Sequence, residues 1–152
     1  MSTRRLLCYL ALGSLLALLC VALGSVLNPP ALVRWENQTQ AHDELRAFWA
    51  MIGIRHLPVF LLCIAAGNLI FTVMKDAARS RAWLVATPYL LYVLVTAVLE
   101  SWRAGETAFS WLVYEPSYFI WPHFVFVPAG LIAASRMVRQ RNHKRSLSPH
   151  SG

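Results

Sequence analysis

Apolar residues along this chain fall into four blocks with polar punctuation between them, at residues 6–27, 57–74, 83–99 and about 118–138. Each block is close to the roughly 20 residues that cross a hydrocarbon core about 30 Å thick at about 1.5 Å rise per residue. The pattern predicts an all-α polytopic membrane protein, a four-transmembrane-helix bundle with spans at about 6–27, 52–74, 83–100 and 118–138. The first block is also longer than the apolar region of a secretory leader, so it is read as a retained anchor despite Arg4-Arg5 before it and Ala22-Leu23-Gly24 near its end. Residues 139–152 are polar and basic and are expected to form a disordered tail that meets anionic headgroups.

The punctuation predicts where helices end and bend. Asn28-Pro29-Pro30 should stop the first helix, because tandem prolines lack donors and push the preceding residue out of the α region. From about Gln40, Leu45, Phe48, Trp49 and Ile52 share one helical face, which suggests an amphipathic segment at the outer interface feeding the second span. Pro58 should kink that span just inside Arg55 and His56, depriving carbonyls near Ile54 of a donor and opening a polar notch. An outer loop carrying Phe109, Trp111, Tyr114 and Tyr118 matches an interfacial aromatic belt, and Pro116 is placed to open the fourth helix.

Composition supports the membrane reading, since 57% hydrophobic against 14% charged residues is too apolar for a soluble domain of 152 residues. The charge distribution orients it. With four alternating spans, Arg4, Arg5, Lys75, Arg79, Arg81, Arg136, Arg139, Arg141, Lys144 and Arg145 share one side, against Arg34, Arg46, Arg55 and Arg103 on the other. By the positive-inside rule both termini are cytoplasmic, and of the acidic residues only Asp76 is inside. The membrane thus accounts for the net charge of +7, and nucleic acid is not an expected partner. Cys8, Cys20 and Cys63 fall within spans without metal-ligand spacing and read as packing residues, so neither a disulfide framework nor a metal site is expected.

Polar groups inside spans are the candidate chemistry, because a charge at the bilayer centre costs at least about 2.5–3.5 kcal/mol and must pair, snorkel or face water. Arg55 and His56 open the second span, Glu100 closes the third and His123 lies in the upper part of the fourth. Threading brings all four to similar depth on the outer side, where Arg55 and Glu100 would offset each other's desolvation and Glu100 and His123 would form a proton-transfer pair. Tyr89, Tyr92, Thr96 and Glu100, spaced by three, four and four, form one stripe, and with Trp121 and Phe124 they would bind a substrate. The same groups also suit a purely structural role, as glue between helices. Asn68 and Thr72 are expected to hydrogen-bond across helices, and Gly13, Ala17, Cys20 and Gly24 give the first span a small-residue face for close helix approach. Asn37-Gln38-Thr39 is a glycosylation sequon in the loop expected outside.

Gly53-x-Arg55 opening one span, an acidic residue, Glu100, closing the next and His123 early in the last resemble small DoxX-like membrane proteins of uncharacterised function. The likeness covers residues 46–133. It departs at His56, where such relatives tend to carry an acidic residue, and in a longer approach to the last span. It implies a left-handed four-helix bundle and no particular activity.

Three functions fit these residues. The first is a cofactor-independent isomerase or cyclase acting on a lipophilic, sterol- or terpenoid-like biosynthetic intermediate, with Glu100 and His123 exchanging protons and Arg55, beside His56, holding an oxyanion or carboxylate. The second is a non-catalytic membrane accessory or scaffold, or a homo-oligomer, docking through the small-residue face of the first span. The third is a proton-coupled transporter, disfavoured by small size and the lack of an internal repeat. Dinucleotide, P-loop and nucleophile-elbow motifs are absent from the sequence, and a haem reading is set aside because both histidines crowd the charged outer end. Endoplasmic reticulum and plasma membrane are not distinguished.

Overall fold

A computed structural model describes residues 2–27, 29–40, 42–103 and 121–147, and every regular element among them is helical. Helix α1 spans Thr3–Val26, α2 Pro30–Gln40 and α3 Glu44–Met51; a π-helical turn, Ile52–His56, leads into α4, Leu57–Met74, then come α5, Arg79–Arg103, and α6, Trp121–Leu147. Three stretches, Thr3–Val26, Leu45–Met74 and Arg79–Glu100, are long and apolar enough to cross a membrane. The fourth expected span starts outside the described residues, and its α6 part turns basic at Arg136. Phe109, Trp111, Tyr114, Pro116 and Tyr118 of the expected aromatic loop lie outside the described residues too.

Proline chemistry explains the boundaries. Helix α1 stops at Val26, and Pro30 takes the first position of α2, where its missing N–H costs nothing. Asn37 and Thr39 fall on α2 rather than on a loop, with the Asn37 side chain outside the described set. Pro58 cannot donate to the carbonyl of Ile54. The backbone absorbs this by widening ahead of it, so that Leu57 N–H bonds the carbonyl of Ile52, one residue further back than in an α-helix. A π-turn therefore stands at the expected kink, and it carries Arg55 and His56. At the other end of α4, Lys75 adopts a left-handed conformation with φ 52° and turns the chain towards α5.

The tail differs from expectation. Helix α6 continues to Leu147, so residues 139–147 are helical where disorder was expected. Gln, Lys and Arg are good helix formers, and Lys144 and Arg145 in the last turn complement the negative end of the helix dipole.

Four long helices pack side by side: α1 on α5, α4 on α6, α5 on α6, and α1 on α4. Their core includes Tyr9, Phe71, Val85, Val127 and Leu131, all buried. Glycines set the closest approaches. A methyl at Gly67 would meet the Ala134 Cβ at 2.8 Å, and one at Gly13 would sit 2.5 Å from the Val85 carbonyl oxygen. On the small face of α1, Gly13, Ala17 and Cys20 are buried within the chain, Gly13 against α5, while Gly24 has nothing within 4 Å of where a Cβ would stand. Asn68 Nδ2 reaches across to the Met137 sulfur at 3.8 Å as well as to its own helix at the Ile64 carbonyl, whereas Thr72 bonds the Asn68 carbonyl of its own helix.

Contacts fix which helix ends lie together. Tyr9 near the start of α1 donates its hydroxyl to the carbonyl of Asp76 at 3.1 Å, and Arg81 pairs with the Asp76 carboxylate at 2.9 Å while lying over the Tyr9 ring. The start of α1, the α4–α5 turn and the basic half of α6 therefore share one end of the bundle. The ionisable groups of the candidate chemistry gather at the other.

Candidate functional site

A cavity of about 80 Å³ lies between the helices at that second end. The π-turn contributes Arg55 and His56, and α4 contributes Val59. Cys20 and Gly24 come from α1, Tyr89 from α5 and His123 from α6. Each polar residue reaches it for a local reason. The π-turn rotates Arg55 and His56 away from the α-helical register; Tyr89 lies on the buried row of α5; His123 enters in the first turn of α6, where Pro122 has no N–H to satisfy.

Tyr89 and His123 are joined by a 2.9 Å hydrogen bond between the phenol oxygen and Nδ1, with the donor set by the imidazole tautomer. Tyr89 is 5% exposed, so this hydrogen bond is shielded from bulk water. The ring of His123 packs edge-on against that of His56, with centroids 4.6 Å apart, and His56 stacks on Phe126 at 5.9 Å. A phenol and two imidazoles thus form a continuous row. Arg55 lies half-buried at the same cavity and supplies a fixed positive charge. Together they offer one cation, one hydrogen-bonded phenol–imidazole pair and an aromatic wall, groups chemically able to hold an oxyanion, carbonyl or carboxylate and to move a proton beside it.

Arg55, His56 and His123 line this cavity together, and Tyr89, expected on the polar stripe rather than at their depth, lines it with them. Glu100 does not join them. Its carboxylate pairs with Arg103 at 2.7 Å on the exposed end of α5, so neither the Arg55–Glu100 ion pair nor the Glu100–His123 couple forms. Tyr92 is 46% exposed and Thr96 bonds back to the carbonyls of Tyr92 and Val93, so the expected polar stripe faces away from the cavity above Tyr89. Trp121 is exposed and packs on Phe124, which borders the core; neither lines the cavity. Cys20, Gly24, Val59 and Phe126 were not singled out as site residues in the sequence, although Cys20 and Gly24 share a face of α1 at a spacing of four. Among the described residues there is no group of three or more His, Cys, Asp or Glu able to hold a metal ion.

No family model, curated protein or solved structure matches the chain. The likeness to DoxX-like proteins rests on its short motif alone.

Proposed function

We propose that this chain is an integral membrane protein of four spans with both termini cytoplasmic, and that it catalyses cofactor-independent proton transfer, an isomerisation or cyclisation, on a lipophilic intermediate. The observation that carries the reading is the 2.9 Å Tyr89–His123 hydrogen bond at a cavity that also holds Arg55 and His56. His123 acts as the base that removes a proton from carbon, Tyr89 hands a proton back on the adjacent position, and Arg55 holds the oxygen on which negative charge develops. The Tyr89–His123 couple takes the place of the Glu100–His123 couple suggested by the sequence.

The cavity's size limits the substrate. Sites for whole drug-sized ligands measure about 300–1,000 Å³, several times this volume, so only a polar reactive head enters while the sterol- or terpenoid-like tail stays among the lipids. DoxX-like membership of an uncharacterised kind is compatible with this chemistry.

Proton abstraction from carbon leaves an isotopic signature that can be read before the substrate is identified. The purified protein in nanodiscs, incubated with a membrane lipid extract in heavy water, is expected to place deuterium at carbon in a small set of lipids read by mass spectrometry. Tyr89→Phe and His123→Gln should lower that incorporation about 100-fold or more, whereas Glu100→Gln, exposed on Arg103, should leave it within a factor of about two. Labelling that persists in both site variants, or none with the wild type, would refute the proposal.

A further inference from the structure

The basic half of α6 has no part in this acid–base scheme. Val138 is buried in the core, but residues 139–146 are all exposed, so roughly 12 Å of helix projects beyond the bundle. Arg136, Arg139, Gln140 and His143 share one face of it and line a cleft of about 330 Å³. Leu131, Ala134 and Val138, which α6 buries in the core, lie about 160° round the helix from that face. The cleft therefore looks away from the bundle. Towards the start of α6 the same face continues through Ala133, half-buried, and Ala129 and Val125, both exposed. Helix α6 carries no acidic residue, and among the described residues neither Arg136 nor Arg139 pairs with a carboxylate.

We propose that this face is a binding site for one anionic glycerophospholipid of the cytoplasmic leaflet, with a phosphate monoester headgroup of the phosphatidic acid kind. Side chains three and four residues apart on a helix have Cβ atoms about 5–6 Å apart, so the guanidinium forks of Arg136 and Arg139 can close on a single phosphate. Gln140 and His143 add neutral donors beside them. A monoester carries a charge of about −1.5 to −2 and three acceptor oxygens, which two forks and two further donors can engage together. A phosphodiester offers less of both. The exposed row of Ala133, Ala129 and Val125 leads from the cleft along the membrane-spanning part of α6, and its small side chains leave room for an acyl chain to lie beside the helix. A soluble phosphate would leave that row unused, which is why the occupant is a lipid. The site rests on α6 spanning the membrane and shares no residue with the cavity, so it and the acid–base chemistry stand or fall separately.

The test titrates the full chain in detergent micelles with dioleoyl phosphatidic acid or dioleoyl phosphatidylglycerol and counts bound lipids by native mass spectrometry. The wild type should hold one phosphatidic acid about tenfold more tightly than phosphatidylglycerol, and millimolar glycerol 3-phosphate should not displace it. Arg136→Gln with Arg139→Gln should weaken phosphatidic acid about tenfold or more. Arg141→Gln with Arg145→Gln removes the same charge from the opposite side of the helix and should change binding less than about twofold. Equal losses in the two double variants would mean a general attraction to basic charge. Displacement by glycerol 3-phosphate would mean a soluble ligand, and equal binding of the two lipids would mean no preference for a monoester. Each of these results, or a wild type that binds no phosphatidic acid, overturns the proposal. All four arginines are exposed; should a variant still fail to fold, the headgroup ranking on the wild type decides.

Discussion

Tyr89 and Glu100 stand about three turns apart on nearly the same face of α5, yet Tyr89 is buried on His123 and Glu100 is exposed on Arg103. The buried positions of α5 follow the row Val85, Tyr89, Val93 and Ala97, and such a four-residue row drifts about 40° round the helix at each step. Glu100 falls behind that drift. Spacing shows which residues share a face; how a neighbouring helix crosses that face is a tertiary property. Arg55, His56 and His123 were legible because an ionisable group in an apolar run must find company. Cys20, Val59 and Phe126 were not, since a small or apolar residue in a span reads the same whether it fills a core or walls a cavity. At the basic end, Asp76 gives a prediction of its own. The guanidinium of Arg81 hydrogen-bonds its carboxylate and holds it below the ordinary carboxylate value of 3.8, with the Ala78 N–H adding to the effect. A depressed folded value stabilises the fold above pH of about 4 and loses that contribution as pH falls through it. Asp76→Asn should therefore cost about 1 kcal/mol at pH 7 and little at pH 3. Thermal midpoints of both proteins in detergent at the two pH values check this, and an equal gap at both would sink it.

Helices meet here at glycines, and the four glycine sites with the most to say divide cleanly by room. Gly13 and Gly67 have backbone or core atoms within 3.0 Å of where a Cβ would stand, while Gly24 and Gly53 have nothing within 4 Å. Gly13→Leu must push α1 off α5 at the Val85 carbonyl, and overpacking of this kind costs about 1–3 kcal/mol. Gly24→Ala should be neutral or mildly stabilising, because alanine is the better helix former. A ranking of thermal midpoints with Gly13→Leu lowest and Gly24→Ala level with the wild type is the expected result; equal effects would show that α1 does not pack on α5 as described. The long apolar helices α1, α4 and α5 were legible from apolar blocks and proline punctuation, whereas α2, which carries residues expected in a loop, was not. The π-turn was legible only as a disturbance at Pro58, since sequence shows that a donor is missing and not how the backbone redistributes its hydrogen bonds. The helical extent of the tail to Leu147 was masked by its polarity, which makes it look like solvated coil although its residues favour helix.

At the scale of the molecule, the contacts order the helices so that neighbours in sequence alternate direction. Tyr9 meets Asp76 and Asn68 meets Met137 at one end, while His56 meets His123 at the other. This alternation puts the N-terminal end of α1 and the C-terminal end of α6 together, beside the basic residues that precede α5. Positive charge near span ends holds those ends in the cytoplasm, so the cavity should open towards the outer side and both termini should be protected from it. Single cysteines at Ser2 and Ser146, in a Cys8→Ser background that keeps the buried Cys20 and Cys63, test this directly in intact cells. Neither should react with a membrane-impermeant maleimide until the cells are permeabilised, whereas Gln38→Cys on exposed α2 should react at once. Opposite behaviour of the two terminal positions would mean an odd number of spans. That outcome would place α6 along the membrane surface through its basic half, and the cavity would lose the helix that carries His123.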